Sequence, residues 1–252
     1  MKKRPYVLTI AGLDPSSGAG LIADIKTFEA LKTYGLAVCS ANTIQNDVDF
    51  VSCDWVTLEV IKKQIQILFD RFSIDVVKIG IVQDWSVLNR IIDFLLRQNN
   101  QIKIVLDPIV SASAGFDFHD SLSMDKNLFD EVLEKIYVLT PNYKEIQDLY
   151  RDKNIEETIQ HISSKTNLYL KGGHRAQEIG KDELYTITNK YFALNPKMVA
   201  VSEKHGSGCV LSSAITAQLA LGFSLLKACY KAKRYTEKVL SSNKTLLGYH
   251  RF

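Results

Sequence analysis

The chain has 252 residues, of which 46% are hydrophobic, and a formal net charge of +3. This length suits one large α/β domain or two small ones, and the apolar content is enough for a sizeable core. The small net charge, with no basic run interleaved with aromatic residues, argues against a nucleic-acid binder. No apolar run reaches the roughly 18 to 20 residues that a membrane helix needs.

The N-terminus and the cysteines indicate a compartment. A basic start is followed by the short apolar stretch 6–12, which Asp14 and Pro15 interrupt, so a signal peptide is not expected. The cysteines are far apart and form no C-x-x-C pair, which argues against a zinc site or a disulfide framework. They are Cys39, Cys53, Cys209 and Cys229. These features favour a soluble protein of a reducing cytoplasm.

The first elements are a strand, a loop and a helix. Residues 6–11 are almost all apolar, as expected of a strand that is buried on both faces. Residues 12–20 form a loop rich in turn formers, and 21–34 is predicted as an amphipathic helix that Gly35 closes. This order predicts that a ligand meets the loop at the carboxyl end of the strand. The loop matches neither the P-loop nor the dinucleotide-binding pattern.

The rest of the chain alternates short strands with helices. Strands are predicted over 36–41, 50–56, 75–79, 103–106, 137–139 and 168–170, and a β-hairpin over 182–188 and 191–194. Helices are predicted over 57–72, 85–96, 125–134, 143–150, 155–164, 210–221 and 224–241, with Thr57 as a possible N-cap. The segment 111–123 is interpreted as a mobile loop. This alternation predicts one domain over 1–252, with a mostly parallel sheet covered on both faces.

Polar residues follow several of the predicted strands. Because the carboxyl ends of parallel strands meet at one edge of a sheet, we expect these side chains to gather there, beside the 206–209 turn. The residues are Asp14, Gln45, Asp107, Asn142, Glu145 and Lys171.

A Gly-Ser-Gly turn at 206–208 runs directly into a helix of apolar and small residues. Its glycines permit close approach of another molecule. The unpaired N–H groups of the first turn, together with the helix dipole, predict an anion site, for which phosphate is the commonest occupant. The alternative is an ordinary loop-to-helix junction with Ser207 as the N-cap. Cys209 lies at the mouth of this site, where we expect the pKa of a thiol to fall.

Six sequence blocks carry a family resemblance. They are TIAGLDPSSGAGLIADIKTF at 9–28, VKIG at 77–80, VLDP at 105–108, LTPN at 139–142 with Glu145, LKGGH at 170–174 and KHGSGC at 204–209. In this order they resemble the hydroxymethylpyrimidine/phosphomethylpyrimidine kinases of thiamine biosynthesis, over nearly the whole chain. That family is ribokinase-like, so the resemblance implies a three-layer α/β/α sandwich with a mostly parallel central sheet. It also implies ATP-dependent phosphorylation of a hydroxymethylated ring, with Mg²⁺, commonly in a homodimer.

The resemblance assigns the chemistry to the turn. Backbone N–H groups of Gly206, Ser207, Gly208 and Cys209 would face the γ-phosphate of ATP. Cys209 would take the proton of the substrate hydroxymethyl group, where most ribokinase-like sugar kinases have an aspartate. The alternative for Cys209 is a buried structural thiol.

Other residues are assigned to the nucleotide and the metal. Lys171 and Asn142 would serve the phosphates of ATP, and Glu145 would help to hold Mg²⁺, through water, by family analogy. Asp107, at a strand end, is a second candidate for the metal and phosphate region. The alternatives are a solvated surface lysine at position 171 and a helix cap at position 142.

The substrate ring is assigned to the N-terminal loops. Gln45 would contact the pyrimidine, since an amide offers donors and an acceptor together. By analogy Gly12, Asp14 and Ala19 line the same pocket. A surface loop position is the alternative for Gln45.

Five further residues are interpreted as structural. Asp24 is interpreted as a hydrogen-bonding residue of the core, and His205 and His174 as residues that orient loops. Trp55 and Trp85 are interpreted as packing residues.

The chain departs from the family pattern in three places. Ser17 stands where glycine is usual and Ile81 where methionine is common, and both changes would reshape the ring pocket. The tail before the final histidine is reduced to 247–250, which leaves closure over the nucleotide an open question.

Two other functions are compatible with the sequence. A pyridoxal or pyridoxine kinase shares the Gly-x-Gly-Cys turn, but Gln45 favours the pyrimidine. A non-catalytic ring-binding protein is the second alternative, and the intact turn, Cys209 and Lys171 argue against it. A second phosphorylation, on the monophosphate, is typical of the family.

Overall fold

A computed structural model describes residues 3–109, 126–173, 178–198 and 201–250. The strands in these ranges are β1 (Tyr6–Leu13), β2 (Tyr34–Gln45), β3 (Phe50–Trp55), β4 (Ile74–Ile79), β5 (Lys103–Leu106), β6 (Val138–Leu139), β7 (Asn167–Leu170), β8 (Asp182–Tyr185) and β9 (Tyr191–Leu194). The helices are α1 (Gly20–Ala30), α2 (Leu58–Phe69), α3 (Trp85–Gln98), α4 (Lys126–Lys135), α5 (Tyr143–Leu149), α6 (Ile155–Lys165), α7 (Ser207–Ala220) and α8 (Leu225–Leu240). The predicted 111–123 loop and His174 lie outside the described residues.

All of these strands join one sheet in the order β3-β2-β1-β4-β5-β6-β7-β8-β9. The six central strands run parallel, as their apolar sequences predict: β2, β1, β4, β5, β6 and β7. At the two edges, β3 is antiparallel to β2, and β8 and β9 form the predicted antiparallel hairpin. Only four residues separate β2 from β3 and five separate β8 from β9, which is too few for a parallel crossover, so these two pairs are antiparallel.

Helices cover both faces of the sheet. Helices α2 to α6 pack on one face, where residues such as Ile65, Ile92 and Phe129 join the strand side chains in one core cluster. Helices α1, α7 and α8 pack on the other face through residues such as Phe28, Ile215 and Ala232. The predicted three-layer α/β/α sandwich is therefore confirmed.

The first helix is shorter than predicted. It ends at Ala30, the chain turns at Lys32 with φ +63°, and β2 already begins at Tyr34. The expectation that Gly35 closes the helix is wrong. Gly35 instead allows α1 to pack closely on β2, because a Cβ there would lie 2.6 Å from the Ile25 side chain.

Two helix starts bear on the sequence analysis. Thr57 caps α2, with its side chain accepting the N–H of Val60, as predicted. Helix α7 begins at Ser207 rather than at 210, and its N-cap is Gly206, with φ +72°. The alternative with Ser207 as N-cap is therefore wrong. Along the described part of the chain, the helices lack the length and apolarity that crossing a bilayer requires.

Candidate active site

A cleft of about 600 Å³ lies at the carboxyl edge of the parallel strands. The loops that follow the strands form its floor, and the first turn of α7 forms one wall. Of the predicted site residues, all but Asp14 line it: Gly12, Ala19, Gln45, Asp107, Asn142, Glu145, Lys171, Gly206, Ser207, Gly208 and Cys209. The structure thus brings together residues from both ends of the chain.

The turn before α7 lies directly against the first loop. A Cβ atom at Gly206 would be 2.1 Å from the carbonyl oxygen of Gly18 and 2.6 Å from the Cα of Ala19. Only glycine fits this contact, and its left-handed backbone favours glycine as well. The first turn of α7, where N–H groups have no acceptor within the helix, consequently opens into the same cleft as the 12–20 loop. The N–H of Ser207 donates to the carbonyl oxygen of Lys204 at 3.3 Å.

Asp14 lies behind the cleft wall, so the expectation that it contacts the ring is corrected. Its buried carboxylate accepts the backbone N–H groups of Ser16 (2.8 Å), Gly18 (3.1 Å) and Ala19 (2.8 Å), and it pairs with Nε2 of His205 at 2.9 Å. Burial would raise the pKa of Asp14, but these hydrogen bonds, led by the one from His205, hold it below its usual value. His205 therefore orients the loop, as predicted.

Lys171 links two carboxyl groups on the cleft floor. Its Nζ lies 2.8 Å from Asp107 Oδ1 and 3.5 Å from Glu145 Oε2, and its side chain is buried. Burial would lower the pKa of Lys171, but Asp107 and then Glu145 raise it above its usual range. Lys171 is a buried cation, so the alternative of a solvated surface lysine is wrong.

The pKa values of these two carboxyl groups are shifted in opposite directions. Burial favours neutral Asp107, yet Lys171 and Lys78 hold the pKa of Asp107 below its usual value. Burial dominates at Glu145 and raises its pKa. Asp107 also accepts the hydroxyl of Ser212 in α7 at 3.0 Å, which fixes the helix to the end of β5.

Asn142 and Glu145 form a capping box at the start of α5. Oδ1 of Asn142 accepts the N–H groups of Lys144 (2.8 Å) and Glu145 (2.9 Å), and Glu145 Oε2 accepts the N–H of Asn142 at 2.7 Å. The capping role of Asn142 is confirmed. The same box fixes the Glu145 carboxyl group at the cleft surface.

The thiol of Cys209 is 7% exposed. Burial raises its pKa to about 11, and the lowering effects of Lys78 and of a backbone hydrogen bond from Gly20 are smaller. The expected fall in this pKa is therefore wrong, because desolvation outweighs the position at a helix N-terminus. At neutral pH the thiol holds its proton.

Sequence reasoning missed Lys78. Its Nζ lies 2.8 Å from both carboxylate oxygens of Asp24, and Asp24 also accepts the hydroxyls of Thr9 (2.6 Å) and Ser213 (2.5 Å). The structural role predicted for Asp24 is thereby confirmed. A lysine within the apolar strand Ile74–Ile79 was the signal that could have revealed this ion pair.

One end of the cleft, where the sequence analysis expects the substrate ring, lies between β2 and the start of α1. Gln45 donates to Thr43 Oγ1 at 2.7 Å and lines the cleft with Gly12, Ala19 and Ile81. A Cβ at Gly12 would be 2.5 Å from the Ile81 side chain, so Ile81 limits the space beside this glycine.

The C-terminal segment also reaches the cleft. Nζ of Lys204 donates to the carbonyl groups of Asn243 (2.8 Å) and Thr245 (2.6 Å), and the N–H of His205 donates to Leu246 O at 2.9 Å. Leu246 itself lines the cleft. The C-terminal segment thus packs against the residues that lead into the 206–209 turn.

The fold and the site together define a ribokinase-like kinase. Comparison structures with this architecture include the pyridoxal kinase of Staphylococcus aureus in complex with AMP-PCP and pyridoxal, with a TM-score of 0.80 and 26% identity over 96% of this chain and 89% of that chain. Another is the phosphomethylpyrimidine kinase of Clostridium difficile 630, with a TM-score of 0.76 and 31% identity over 92% of this chain and 98% of that one.

The family follows from the sequence comparisons. The family model for phosphomethylpyrimidine kinase matches residues 14–251, so the chain belongs to that family. It is 32% identical to the hydroxymethylpyrimidine/phosphomethylpyrimidine kinase of Aquifex aeolicus, over 96% of this chain and 97% of the relative. It is 30% identical to a probable thiamine biosynthetic bifunctional enzyme of rice, and spans only 45% of that longer protein.

Proposed function

We propose that this protein uses ATP to phosphorylate hydroxymethylpyrimidine and then its monophosphate to the diphosphate, in thiamine biosynthesis. One observation carries the proposal. The helix N-terminus at 206–209, the Lys171 cation and the 12–20 loop line a single cleft. Family membership and the activity named for the Aquifex aeolicus relative support the choice of substrate.

The cleft supplies what phosphoryl transfer requires. Charge builds on the oxygens of the moving phosphoryl group, and the N–H groups of 206–209 with Lys171 would offset it. Cys209 would accept the proton of the substrate hydroxyl as a thiolate: the O–H bond breaks and an S–H bond forms. Since burial keeps the resting thiol protonated, the thiolate is a minor form of the free protein.

The donor set also suits Mg²⁺. Glu145 presents a carboxyl group at the cleft surface beside Asp107, and oxygen donors are those that Mg²⁺ prefers. One or two carboxylates with phosphates and water are its usual environment in kinases. When bound, Mg²⁺ would offset phosphate charge. We expect ADP formation to require added Mg²⁺. We expect Glu145→Gln to raise the Mg²⁺ concentration that gives half-maximal rate at least tenfold. Glu203→Gln, elsewhere on the cleft rim, is the control, and its Mg²⁺ requirement should match that of the wild type.

A pyridoxal kinase is the second candidate. The similarity to pyridoxal kinase structures supports it, since one of these was solved with pyridoxal and AMP-PCP bound. Gln45 at the ring end favours an aminopyrimidine, because its amide can donate and accept at one ring edge.

A coupled assay of ADP release decides between these functions. The alcohol, its monophosphate and pyridoxal are compared side by side with Mg-ATP. We expect the highest kcat/KM for the two pyrimidines. A higher kcat/KM for pyridoxal would overturn the substrate assignment, and tight pyrimidine binding without ADP release would indicate the non-catalytic ring-binding protein.

The role of Cys209 has its own test. We expect Cys209→Ala to lower kcat by about 10- to 100-fold, with little change in the KM for ATP, since a loose transition state limits what a base contributes. Cys39→Ala, on β2, is the matched control. Full kcat in Cys209→Ala would refute the base assignment.

Two further proposals concern assembly and compartment. A homodimer, common in the family, is supported by exposed apolar side chains on the β2–β3 hairpin: Ile44, Val48 and Val51. A monomeric mass by light scattering would refute it. The four cysteines are free thiols, which suits a reducing cytoplasm and can be checked by cell fractionation.

A further inference from the structure

Lys78 is a fully buried lysine that the chemistry described so far does not use. Its ammonium group binds both oxygens of Asp24, and neither side chain reaches solvent. A buried ion pair costs desolvation that good geometry only offsets, and an apolar pair of similar volume is often as stable. Packing alone therefore does not explain why a charged pair occupies this position in β4.

The pair lies beneath the first turns of α7. Ser213 donates to Asp24 Oδ1 at 2.5 Å, so this part of the helix contacts the ion pair directly. Cys209 precedes Ser213 by four residues, which is about one helical turn. Side chains four apart share one helix face, so the thiol lies on the face that meets Lys78 and Asp24. Lys78 and Cys209 also line the same cleft.

The charged groups around the thiol have opposing effects. Lys78 from β4 favours the thiolate, and Asp24 from α1 and Asp107 from the end of β5 disfavour it. Lys171, which pairs with Asp107, is the second cation near the thiol. Of these groups, Lys78 has the strongest effect in favour of a negative sulfur.

We infer that Lys78 is a positioning residue for the reaction: its ammonium group stabilises negative charge on the Cys209 sulfur. The inference rests on the proposed function, in which that sulfur accepts the proton of the substrate hydroxyl. As the proton moves, the acceptor oxygen bonds to the γ-phosphorus and the P–O bond to ADP breaks. Lys78 acts before this step, because its charge favours the thiolate form of Cys209.

Alkylation of Cys209 by iodoacetamide measures this coupling without any turnover. The reagent is uncharged, only the thiolate reacts, and peptide mass spectrometry separates Cys209 from the other cysteines. At pH 8.5 we expect Lys78→Met to slow alkylation at least tenfold, which corresponds to a rise of about one unit in the thiol pKa. Asp24→Asn is expected to accelerate it. Ser213→Ala removes a hydrogen bond from the same network without removing charge, and its rate should stay within about threefold of wild type.

Opposite effects from the two members of one ion pair distinguish this role from a structural one. Loosening of the fold exposes the thiol and speeds alkylation in every variant, so slowing by Lys78→Met is not an effect of unfolding. Because Lys78→Met alone leaves Asp24 without its cation, the double variant Lys78→Met/Asp24→Asn is compared with Asp24→Asn. Equal alkylation rates in these two would overturn the inference.

The outcome is independent of the proposed function. If the variants show the coupling but no acceptor releases ADP, the proposed function fails and the electrostatic role stands. If ADP release is observed and Lys78→Met/Asp24→Asn reacts like Asp24→Asn, the role of Lys78 fails and the proposed function stands.

Discussion

At the scale of single residues, Asp14 shows how one carboxylate can organise two distant segments. It binds backbone N–H groups of its own loop and the ring of His205, which is 191 positions away in the chain. The sequence analysis interpreted Asp14 as a residue of the ring pocket and His205 as a residue that orients a loop. It did not show that they form a pair, because the contact depends on how the loop folds back on the 206–209 turn.

The depressed pKa of Asp14 makes its contribution pH-dependent. A carboxylate with a lowered pKa in the folded state stabilises that state above its unfolded pKa of about 4, and the stabilisation is lost as the pH falls through the folded value. We expect Asp14→Asn to lower the free energy of unfolding by about 1–3 kcal/mol at pH 7. In urea titrations the difference from wild type should shrink from about pH 5 downward. Asp54→Asn, on an exposed position of β3, is the control. A difference in the free energy of unfolding between Asp14→Asn and wild type that is equal at all pH values would contradict the lowered pKa of Asp14.

Cys209 and Lys78 mark the limit of sequence reasoning for single side chains. The residue type and the neighbouring glycines predicted a thiol at the site, but the predicted fall in its pKa was wrong. That direction depends on burial under α1 and β4, which no local pattern encodes. Lys78 lies within the VKIG block, but no local pattern indicates its role, because its partner Asp24 lies 54 positions away in the chain.

At the scale of elements, α7 is the helix whose first turn lines the cleft. Its residues from Cys209 to Leu219 are buried on every side, so it is a central helix of the core and not a surface helix. The strands and most helices were predicted within a few residues, because apolar runs and turn formers are local signals. The ends of elements that depend on tertiary packing, such as the turn at Lys32 after α1, were not predicted.

A pair of glycines tests the contact at the start of α7. Gly206 and Gly222 both have positive φ, but only at Gly206 would a Cβ meet another part of the chain. We expect Gly222→Ala to cost about 1–2 kcal/mol, from backbone strain alone. Gly206→Ala should cost at least about 2 kcal/mol more in urea unfolding and abolish ADP release. Equal losses of stability in Gly206→Ala and Gly222→Ala would show that the contact of Gly206 with residues 18–19 leaves room for a side chain.

At the scale of the whole molecule, the C-terminal segment connects the last helix to the cleft. Its carbonyl groups accept hydrogen bonds from Lys204 and His205, and His205 in turn binds Asp14. The C-terminal segment 243–246 therefore contacts the residues that lead into the turn. The sequence alone left this open, because the hydrogen bonds involve backbone carbonyls, which carry no sequence signature.

Lys204 tests this connection. We expect Lys204→Met to lower the free energy of unfolding by about 2–3 kcal/mol, since it removes charged hydrogen bonds to two carbonyl groups. The KM for ATP should rise severalfold as Leu246 loses its support. Lys238→Met, at an exposed position of α8, is the control. Unchanged stability and KM in Lys204→Met would show that the tail does not support the site.

The burial of α7 also bears on how the protein fluctuates. Amide protons in a helix enclosed by core exchange with solvent only when the whole fold opens, whereas exposed hairpins exchange through small local openings. The β2–β3 hairpin, with Ile44, Val48 and Val51 exposed, belongs to the second kind. We therefore expect the α7 side of the cleft to open only with the whole fold, whereas the hairpin side can open locally. In the proposed function, the ring would bind beside the locally opening hairpin, while the N–H donors for the phosphate would stay fixed on α7.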